Sequence, residues 1–400
     1  MTLAAVVLAG GEARRFGADK LAADLDGLTV LERALNDLPA DTTTIIVGPR
    51  RDVSHSAQFV REDPPGTGPA AALITGLRAA LPSRPEAIVV LPGDTPGGSR
   101  AAMALLSELD RDDGWAVMAS DTSGREQPLQ LALRPAAAAA LVAAGGESGG
   151  AGQSARRLVA RLRPPPRVVA VPEPDHFDID TAEQLLAWRL QDGPDVRAIL
   201  AALSDRSPTG FASDRPYVIA VDGPSGAGKS TLAAALRLRL GATVIEGDDF
   251  YSTALPGLRA AELEVMSDSE AADAVIDWRR LRDEALTPLL RRESARYHPF
   301  DWDAYDGSLG PEKRLAPADV VVLEGVYSAR PELADLADLR LLLEVPARDR
   351  SERLTRWDDR DEWTRFWQRA EEHYFTSVCP PEGFDMRLVT REKSITKTPT

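Results

Sequence analysis

Two glycine-rich segments of this chain carry the residue types that handle phosphate. One is Gly223-Pro-Ser-Gly-Ala-Gly-Lys-Ser-Thr231. It fits G-x-x-x-x-G-K-[S/T], with Gly223, Gly228, Lys229 and Ser230 at the fixed positions. Glycines let successive backbone N–H groups turn inward around phosphate oxygens, and a helix opening at Lys229 adds its positive N-terminal end. Gly223, Gly226, Ala227, Gly228, Lys229, Ser230 and Thr231 would then cradle a nucleotide. Lys229 would reach the β- and γ-phosphates, and the Ser230 hydroxyl would hold Mg²⁺. The other segment is Leu8-Ala-Gly-Gly-Glu-Ala-Arg-Arg-Phe-Gly-Ala-Asp-Lys20. Gly10 and Gly11 follow an apolar run directly, so their amides are open to a ligand, and Arg15 and Lys20 supply two cations. Breaking the α–β bond of a nucleoside triphosphate builds charge on the α-phosphoryl group and on the departing pyrophosphate. Two cations beside a glycine turn suit that need.

Carboxylates at the ends of apolar runs complete both sets. Val320-Val-Val-Leu-Glu-Gly325 reads as a buried strand ending in Glu324, the usual place for a group that orients Mg²⁺ and its waters. Glu246-Gly-Asp-Asp-Phe-Tyr251 follows another strand and brings Asp248 and Asp249 to the same edge. One of them could accept the proton of an attacking hydroxyl; an exposed turn with a helix cap would use the same residues. In the first half Asp94, in Leu91-Pro-Gly-Asp-Thr95, again ends a strand and is a Mg²⁺ candidate. Asp178 and Asp180 are sources of a second carboxylate. Asp94 could equally cap the helix after it.

Short apolar runs alternating with helical patterns must position these groups. Leu3–Leu8, Thr44–Val47, Ala87–Leu91 and Trp115–Ala119 read as strands, with helices over Thr29–Leu38, Gly68–Leu81 and Ala101–Leu109 between them. Ala136–Ala144 is strongly helix-forming behind Pro135, and a helix from Thr181 to Leu190 closes the first half. Alternation of this kind implies a mainly parallel sheet covered on both faces. The second half repeats the pattern, with strands at Tyr217–Val221, Thr243–Glu246, Val320–Glu324 and Leu339–Val345. The fold class is therefore α/β, in two three-layer α/β/α domains. The boundaries fall at 1–192 for the first domain, 193–215 for a linker with a short helix (Pro194–Leu203), 216–390 for the second domain and 391–400 for a frayed polar tail. Turn and linker residues at Ser207–Pro216 mark the join.

The chain has 400 residues, 44% hydrophobic and 27% charged, which suits two soluble domains. A formal net charge of −15 argues against nucleic acid and anionic membrane as partners. With one cysteine, Cys379, an intrachain disulfide and a thiolate metal cluster are excluded. The opening segment lacks a basic leader and runs into Gly-Gly, so a buried strand and a cytoplasmic protein are expected. The scattered His55, His176, His298 and His373 imply no cofactor beyond Mg²⁺.

The first half resembles the molybdenum cofactor guanylyltransferase family, within the Rossmann-like NTP transferases. The likeness spans residues 1–192. It rests on Leu8-Ala-Gly-Gly11 with Arg15, Gly17 and Lys20, Gly66-Thr-Gly-Pro69, Pro92-Gly-Asp94, Gln127-Pro-Leu129 and Asp178-Ile-Asp-Thr181. It implies that Leu8, Ala9, Gly10, Gly11, Arg15 and Lys20 line the triphosphate, that Asp63 sits near base and ribose, and that Asp94 and Asp180 hold Mg²⁺. The implied partners are GTP, or another NTP, and a molybdopterin-type acceptor. Residues 217–390 resemble uridine kinase-type P-loop kinases, on GPSGAGKST, Asp248-Asp-Phe-Tyr251, Asp277-Trp278, Tyr297-His-Pro-Phe-Asp-Trp302 and Glu324-Gly325. That likeness implies ATP and a small hydroxyl acceptor. Asp248 would be the base, Tyr251 and Asp277 would lie beside the acceptor, and Phe300 or Trp302 would stack on it. A lid would carry Arg348, Arg350, Arg353, Arg356 and Arg360. The Tyr297–Trp302 segment and the tryptophans of the lid depart from the usual pattern. The alternative is a P-loop half that binds nucleotide only as an accessory to the transferase.

Overall fold

The computed structural model describes residues 2–10, 16, 19–25, 27–111, 114–121, 124–206, 214–346 and 361–389. The chain divides into two compact units, Met1–Arg189 and Leu190–Thr400. No helix among the described residues is long and apolar enough to cross a membrane.

The first unit is built on strands β1 (Leu3–Leu8), β2 (Thr43–Val47), β3 (Ala57–Val60), β4 (Ala87–Pro92), β5 (Ala116–Ser120), β6 (Glu126–Leu133) and β7 (Arg167–Ala170), in the order β3-β2-β1-β4-β6-β5-β7. β1 is central and parallel to both neighbours, with Val6 opposite Ile45 and Val90. Alternate residues therefore face opposite sides, and both sides are buried. Helix α1 (Pro69–Ala80) lays Leu73, Ile74 and Leu77 on Val6, Ile45 and Val90. Helix α2 (Gly98–Arg111) covers the other face, where Gly98 meets Leu91. The sheet is mainly parallel, as expected, with one reversed strand, β6, which runs antiparallel to β4 and β5. A tight turn in which the Asp121 N–H donates to Arg125 O at 2.9 Å joins β5 to β6, and so short a connection allows only antiparallel pairing.

The second unit has a fully parallel sheet. Its strands β8 (Tyr217–Asp222), β9 (Thr243–Glu246), β10 (Val320–Glu324), β11 (Leu339–Glu344) and β12 (Met386–Val389) lie in the order β9-β10-β8-β11-β12. Parallel pairing puts Asp222, Glu246 and Glu324 at one edge, where open α/β sheets bind ligands. Val218, Ala220, Val321 and Leu323 pack on Phe250, Leu281 and Phe366. On the other face Ile219, Val221 and Val322 meet Leu232 and Leu236 of a following helix and Val196, Ile199 and Leu203 of α3 (Pro194–Arg206). Sequence reading assigned 193–215 to a linker; the structure instead makes α3 part of the second unit's core. Its apolar residues recur at i, i+3 and i+7, the spacing of a single buried stripe.

Candidate active sites

In the first unit the glycine segment leaves β1 between β2 and β4. The Ala9 N–H donates to Val47 O at 2.8 Å and the Gly93 N–H to Leu8 O at 2.9 Å, so Leu8 and Ala9 are pinned at the sheet edge and Gly10 follows directly. Gly48 passes so close that a Cβ there would stand 2.4 Å from Ala9 O. Arg51 Nη1 donates to Ala9 O at 2.9 Å and its Nε to Asp19 Oδ2 at 2.8 Å, tying the two ends of the glycine segment together. Sequence reasoning missed Arg51, because a lone arginine thirty residues beyond the segment carries no motif. Gly11, Arg15 and Gly17 lie outside the described residues.

Lys20 opens a short turn capped by Asp19, whose carboxylate accepts from the Leu21 N–H at 3.2 Å. Its Nζ stands 2.6 Å from Asp94 Oδ2 and 2.7 Å from Asp180 Oδ1. Asp94 lies just beyond β4. The segment holding Asp178 and Asp180 is brought to it because the Ile179 N–H donates to Asp94 O at 2.9 Å. Burial resists the charge on Lys20, but its two carboxylate partners outweigh that and hold its pKa above the ordinary lysine value. Asp178 is open to solvent on one side and accepts from the Thr95 hydroxyl. Burial, and then the charge of Asp94, lift it to about 6. Asp63 is exposed, whereas its neighbour Glu62 is buried. Glu62 Oε1 accepts from the Gly66 N–H at 3.1 Å and would lie 3.7 Å from a Cβ on Gly10, while Oε2 is buried without a partner. Glu62, which carried no signal in the sequence reading, is therefore an acid that borders Gly10.

Asp178 has a pH signature. A carboxyl whose pKa is higher folded than unfolded holds its proton more tightly in the folded protein. Its contribution to stability is full below its unfolded pKa, ordinarily near 4, and is lost as the pH rises through about 6. Asp178→Asn is expected to become more stable relative to the parent as the pH rises from about 4 to about 7.5, by less than the full linkage value because solvent reaches the Asp178 side chain. Denaturant unfolding of both proteins at the two pH values measures this, and a difference independent of pH would contradict it.

In the second unit the glycine loop joins β8 to α4 (Lys229–Leu240). A Cβ on Gly223, at φ 146°, would meet Leu343 O at 2.2 Å, so only glycine lets the loop leave the sheet there. Gly226 and Gly228 turn the chain through φ 79° and 95°. Lys229 is buried and folds over the loop, its Nζ donating to Pro224 O at 3.2 Å. The wholly buried Asp222 organises the base of the loop. Its Oδ1 accepts from the Gly223 N–H at 2.7 Å and the Tyr327 N–H at 3.2 Å, and its Oδ2 from the Ala329 N–H at 2.9 Å and the Tyr374 hydroxyl at 2.7 Å. Burial raises it to about 6 despite these bonds. Glu371, on α5 (Asp361–His373), accepts from the Ser225 N–H at 2.8 Å and Oγ at 2.9 Å, and Trp367 Nε1 donates to Ser225 Oγ at 2.9 Å. None of these ties has a sequence signature.

Glu324 is buried at the end of β10, hydrogen-bonded to Ser230. Burial, and next the charge of Asp248, lift it to about 7, with Lys229 opposing. Asp248 lies in a solvent-open recess. The protein packed around it raises its pKa, Lys229 opposes, and Asp249 and Glu246 add to the rise. Asp249 is engaged elsewhere: its Oδ2 accepts from the Tyr297 hydroxyl and from Lys313 Nζ, both at 2.7 Å. That separates the two aspartates, which sequence alone could not. Two acids beside Ser230 and Lys229, one of which raises the other, can supply one ligand to a divalent cation and one proton acceptor. Tyr251 is buried against Phe300 and Trp302, with ring centroids 4.9 Å away in each case. Phe300 is itself core, and Trp302 is the exposed member at 45%. Asp277 caps the helix turn after it, accepting from the Arg280 N–H at 3.1 Å, while its own N–H donates to Phe250 O at 2.8 Å. It is thereby fixed alongside the Asp248–Tyr251 segment. The arginines of the expected lid lie outside the described residues.

Among the described residues no three His, Cys, Asp or Glu side chains form a ready metal cluster. Mg²⁺ does not require one, since it binds one or two carboxylates together with phosphates and water. The oxygens of Asp94 and Asp180 converge on a single point held by Lys20 Nζ, which fits one hard cation. Glu324 with Ser230 fits a second.

Comparison with known proteins agrees with the first site. The family model described as the MobA-like NTP transferase domain matches residues 5–168. A molybdenum cofactor guanylyltransferase of Acidiphilium cryptum is 36% identical over 141 residues, 34% of this chain and 68% of that protein. One from Shewanella sp. strain ANA-3 is 31% identical over 139 residues, 33% of this chain and 68% of that protein. Uridine kinase-like protein 3 of Arabidopsis thaliana is 27% identical over 139 residues, 33% of this chain but only 28% of that protein. A glycine segment at the end of β1, a lysine bridging two aspartates beyond β4, and relatives of this identity and coverage lead to one conclusion: the chain belongs to the MobA-like NTP transferase family and is a nucleotidyltransferase of that type.

Proposed function

We propose that the first unit transfers GMP from GTP to a molybdopterin-type acceptor, and that the second phosphorylates a small hydroxyl compound with ATP. The observation that carries the first reading is the Lys20–Asp94–Asp180 cluster beside Gly10. An acceptor oxygen attacks the α-phosphorus, the bond to the β-phosphate oxygen breaks, and pyrophosphate leaves with the electron pair. Bound Mg²⁺, held by Asp94 and Asp180, supplies charge neutralisation at the triphosphate. Lys20 would exchange its carboxylates for phosphate oxygens as nucleotide enters, so ammonium and metal are alternatives at one point. Lys20→Met is accordingly expected to bind Mn²⁺ without nucleotide at least about tenfold more tightly than the parent, since removing the internal cation leaves two unmatched carboxylates. Equal Mn²⁺ affinity, read by electron paramagnetic resonance, would rule the exchange out.

For the second unit, the recess that holds Asp248 beside Lys229, Ser230 and Glu324 supports the kinase reading. Asp248 takes the hydroxyl proton, the acceptor oxygen bonds to the γ-phosphorus, and ADP departs as the γ-phosphorus to β-oxygen bond breaks. Mg²⁺ held by Ser230 and ordered by Glu324 offsets the phosphate charge. Incubation with γ-labelled ATP and uridine, cytidine or D-ribose tests it. Label in the acceptor is expected. ATP hydrolysis without transfer to any of them would favour the accessory role instead.

A further inference from the structure

A group of buried donors beside the second glycine loop has no assigned use. The turn Tyr327–Arg330 hangs from the same Asp222 carboxylate that holds Gly223: the Tyr327 and Ala329 N–H groups donate to Asp222 at 3.2 and 2.9 Å. Tyr327 adopts a left-handed backbone, φ 74°, a conformation that non-glycine residues rarely hold without reason. The side chains of this turn are buried, yet Tyr327 Oη, Ser328 Oγ and Arg330 Nη1 have no hydrogen-bond partner, and neither has Trp278 Nε1. The Arg330 guanidinium carbon lies 5.3 Å from the Trp278 ring centroid. Trp278 follows Asp277, whose N–H is bonded to Phe250 O at 2.8 Å. Trp278 is thereby fixed beside the segment that carries Asp248, and the Tyr327–Arg330 turn is tied to the base of the glycine loop. Buried polar groups nearly always find partners, and four unmatched together in one turn and the residue stacked on it are a site awaiting a ligand.

Charge narrows what the ligand is. The rest of Arg330 is already matched: Nη2 donates to Asp273 at 2.8 Å and Nε to Glu332 at 2.8 Å. Arg279 lies 4.2 Å over the same Trp278 ring, so two guanidiniums face the two carboxylates and the locality offers an anion no net attraction. Two of the four free groups, on Arg330 and Trp278, can only donate. The complement is an uncharged molecule bearing carbonyl or ether oxygens.

We propose that Arg330, Trp278, Tyr327 and Ser328 form a donor-lined subsite that binds uncharged oxygen atoms of the phosphoryl acceptor. The subsite rests on the kinase reading of the second unit. Anionic acceptors gain no net attraction there, and Arg330 binds the acceptor through Nη1 while its Nη2 and Nε keep their ion pairs.

The test compares parent, Arg330→Lys and Trp278→Phe for transfer from γ-labelled ATP to uridine, cytidine and D-ribose, and to the anionic probes D-ribose 5-phosphate and D-glycerate. Arg330→Lys keeps the charge that pairs with Asp273 and Glu332 but loses the planar fork, and Trp278→Phe keeps the ring and loses only the donor. Both are expected to raise the acceptor KM about tenfold or more, with the KM for ATP and the melting temperature near parent values. The anionic probes are expected to be poor acceptors. Transfer to an uncharged acceptor with an unchanged acceptor KM in both variants would overturn the subsite and leave the kinase reading standing. Preference for the anionic probes would overturn it too. Absence of transfer to all five would remove the kinase reading, and the subsite with it.

Discussion

Asp94→Ala is expected to lower nucleotidyl transfer about a thousandfold while leaving the protein folded. Asp94 is one of the two carboxylates that converge on Lys20 Nζ, at 2.6 Å. Its loss removes a candidate metal ligand and half of the anchor that keeps Lys20 at the site. Preorganised charge at a transferring phosphoryl group contributes several kcal/mol, which is where a loss of about that size arises. The fold should tolerate the change. Lys20 keeps Asp180 at 2.7 Å, and Asp178 is relieved of a repulsion that helps raise its pKa to about 6. Steady-state rates with GTP, alongside thermal unfolding, check both halves. A variant within tenfold of the parent would mean that Asp94 only positions the loop after β4. An unfolded variant would mean that the Lys20 pair is structural.

Asp248→Asn is expected to abolish phosphoryl transfer by the second unit, by about three orders of magnitude, with ATP affinity close to that of the parent. A positioned base is worth on the order of a hundredfold to ten-thousandfold. Asn preserves shape but accepts no proton. ATP should still bind, because Gly223–Gly228, Lys229 and Ser230 are untouched and Asp222 still fixes the base of the loop. Removing the Asp248 charge also lowers the pKa of Glu324, since that charge is the second cause of its rise to about 7. Glu324 is then more fully ionised at neutral pH, which favours metal binding. Nucleotide titration and γ-label transfer separate the two effects. Transfer that persists would assign the base elsewhere. Loss of ATP binding would make Asp248 a nucleotide-site residue.

Where contiguous residues carry the chemistry, the sequence was readable. G-x-x-x-x-G-K-S names its own strand and helix, and Glu324 and Asp94 each end a run that is apolar because it is buried on both faces. The unread parts depend on residues far apart. Arg51 meets Asp19 across thirty-two positions, and Glu371 meets Ser225 across 146. Nothing about either arginine or glutamate marks it beforehand. The strands that escaped notice fail the same way. Ala57–Val60, Arg167–Ala170 and Met386–Val389 sit at sheet edges, half-exposed or exposed, and lack the apolar run that betrays a central strand. Glu126–Leu133 is interrupted by Pro128, and only its last four residues are buried. The misplaced linker was a matter of weighting. Ser207–Pro216 is rich in turn residues, but the Val196, Ile199 and Leu203 stripe already said that the preceding helix had a core to join.

The most direct test of the central claim, nucleotidyl transfer at Lys20, Asp94 and Asp180, uses GTP labelled at the α-phosphate, with Mg²⁺ and molybdopterin as acceptor. The expected result is label in the acceptor, with one pyrophosphate released per label transferred, and a rate about a thousandfold lower in the Asp94→Ala variant. Label retained in GTP would contradict it, because no bond would have broken, and label recovered only in GDP would contradict it, because cleavage would fall between the β- and γ-phosphates.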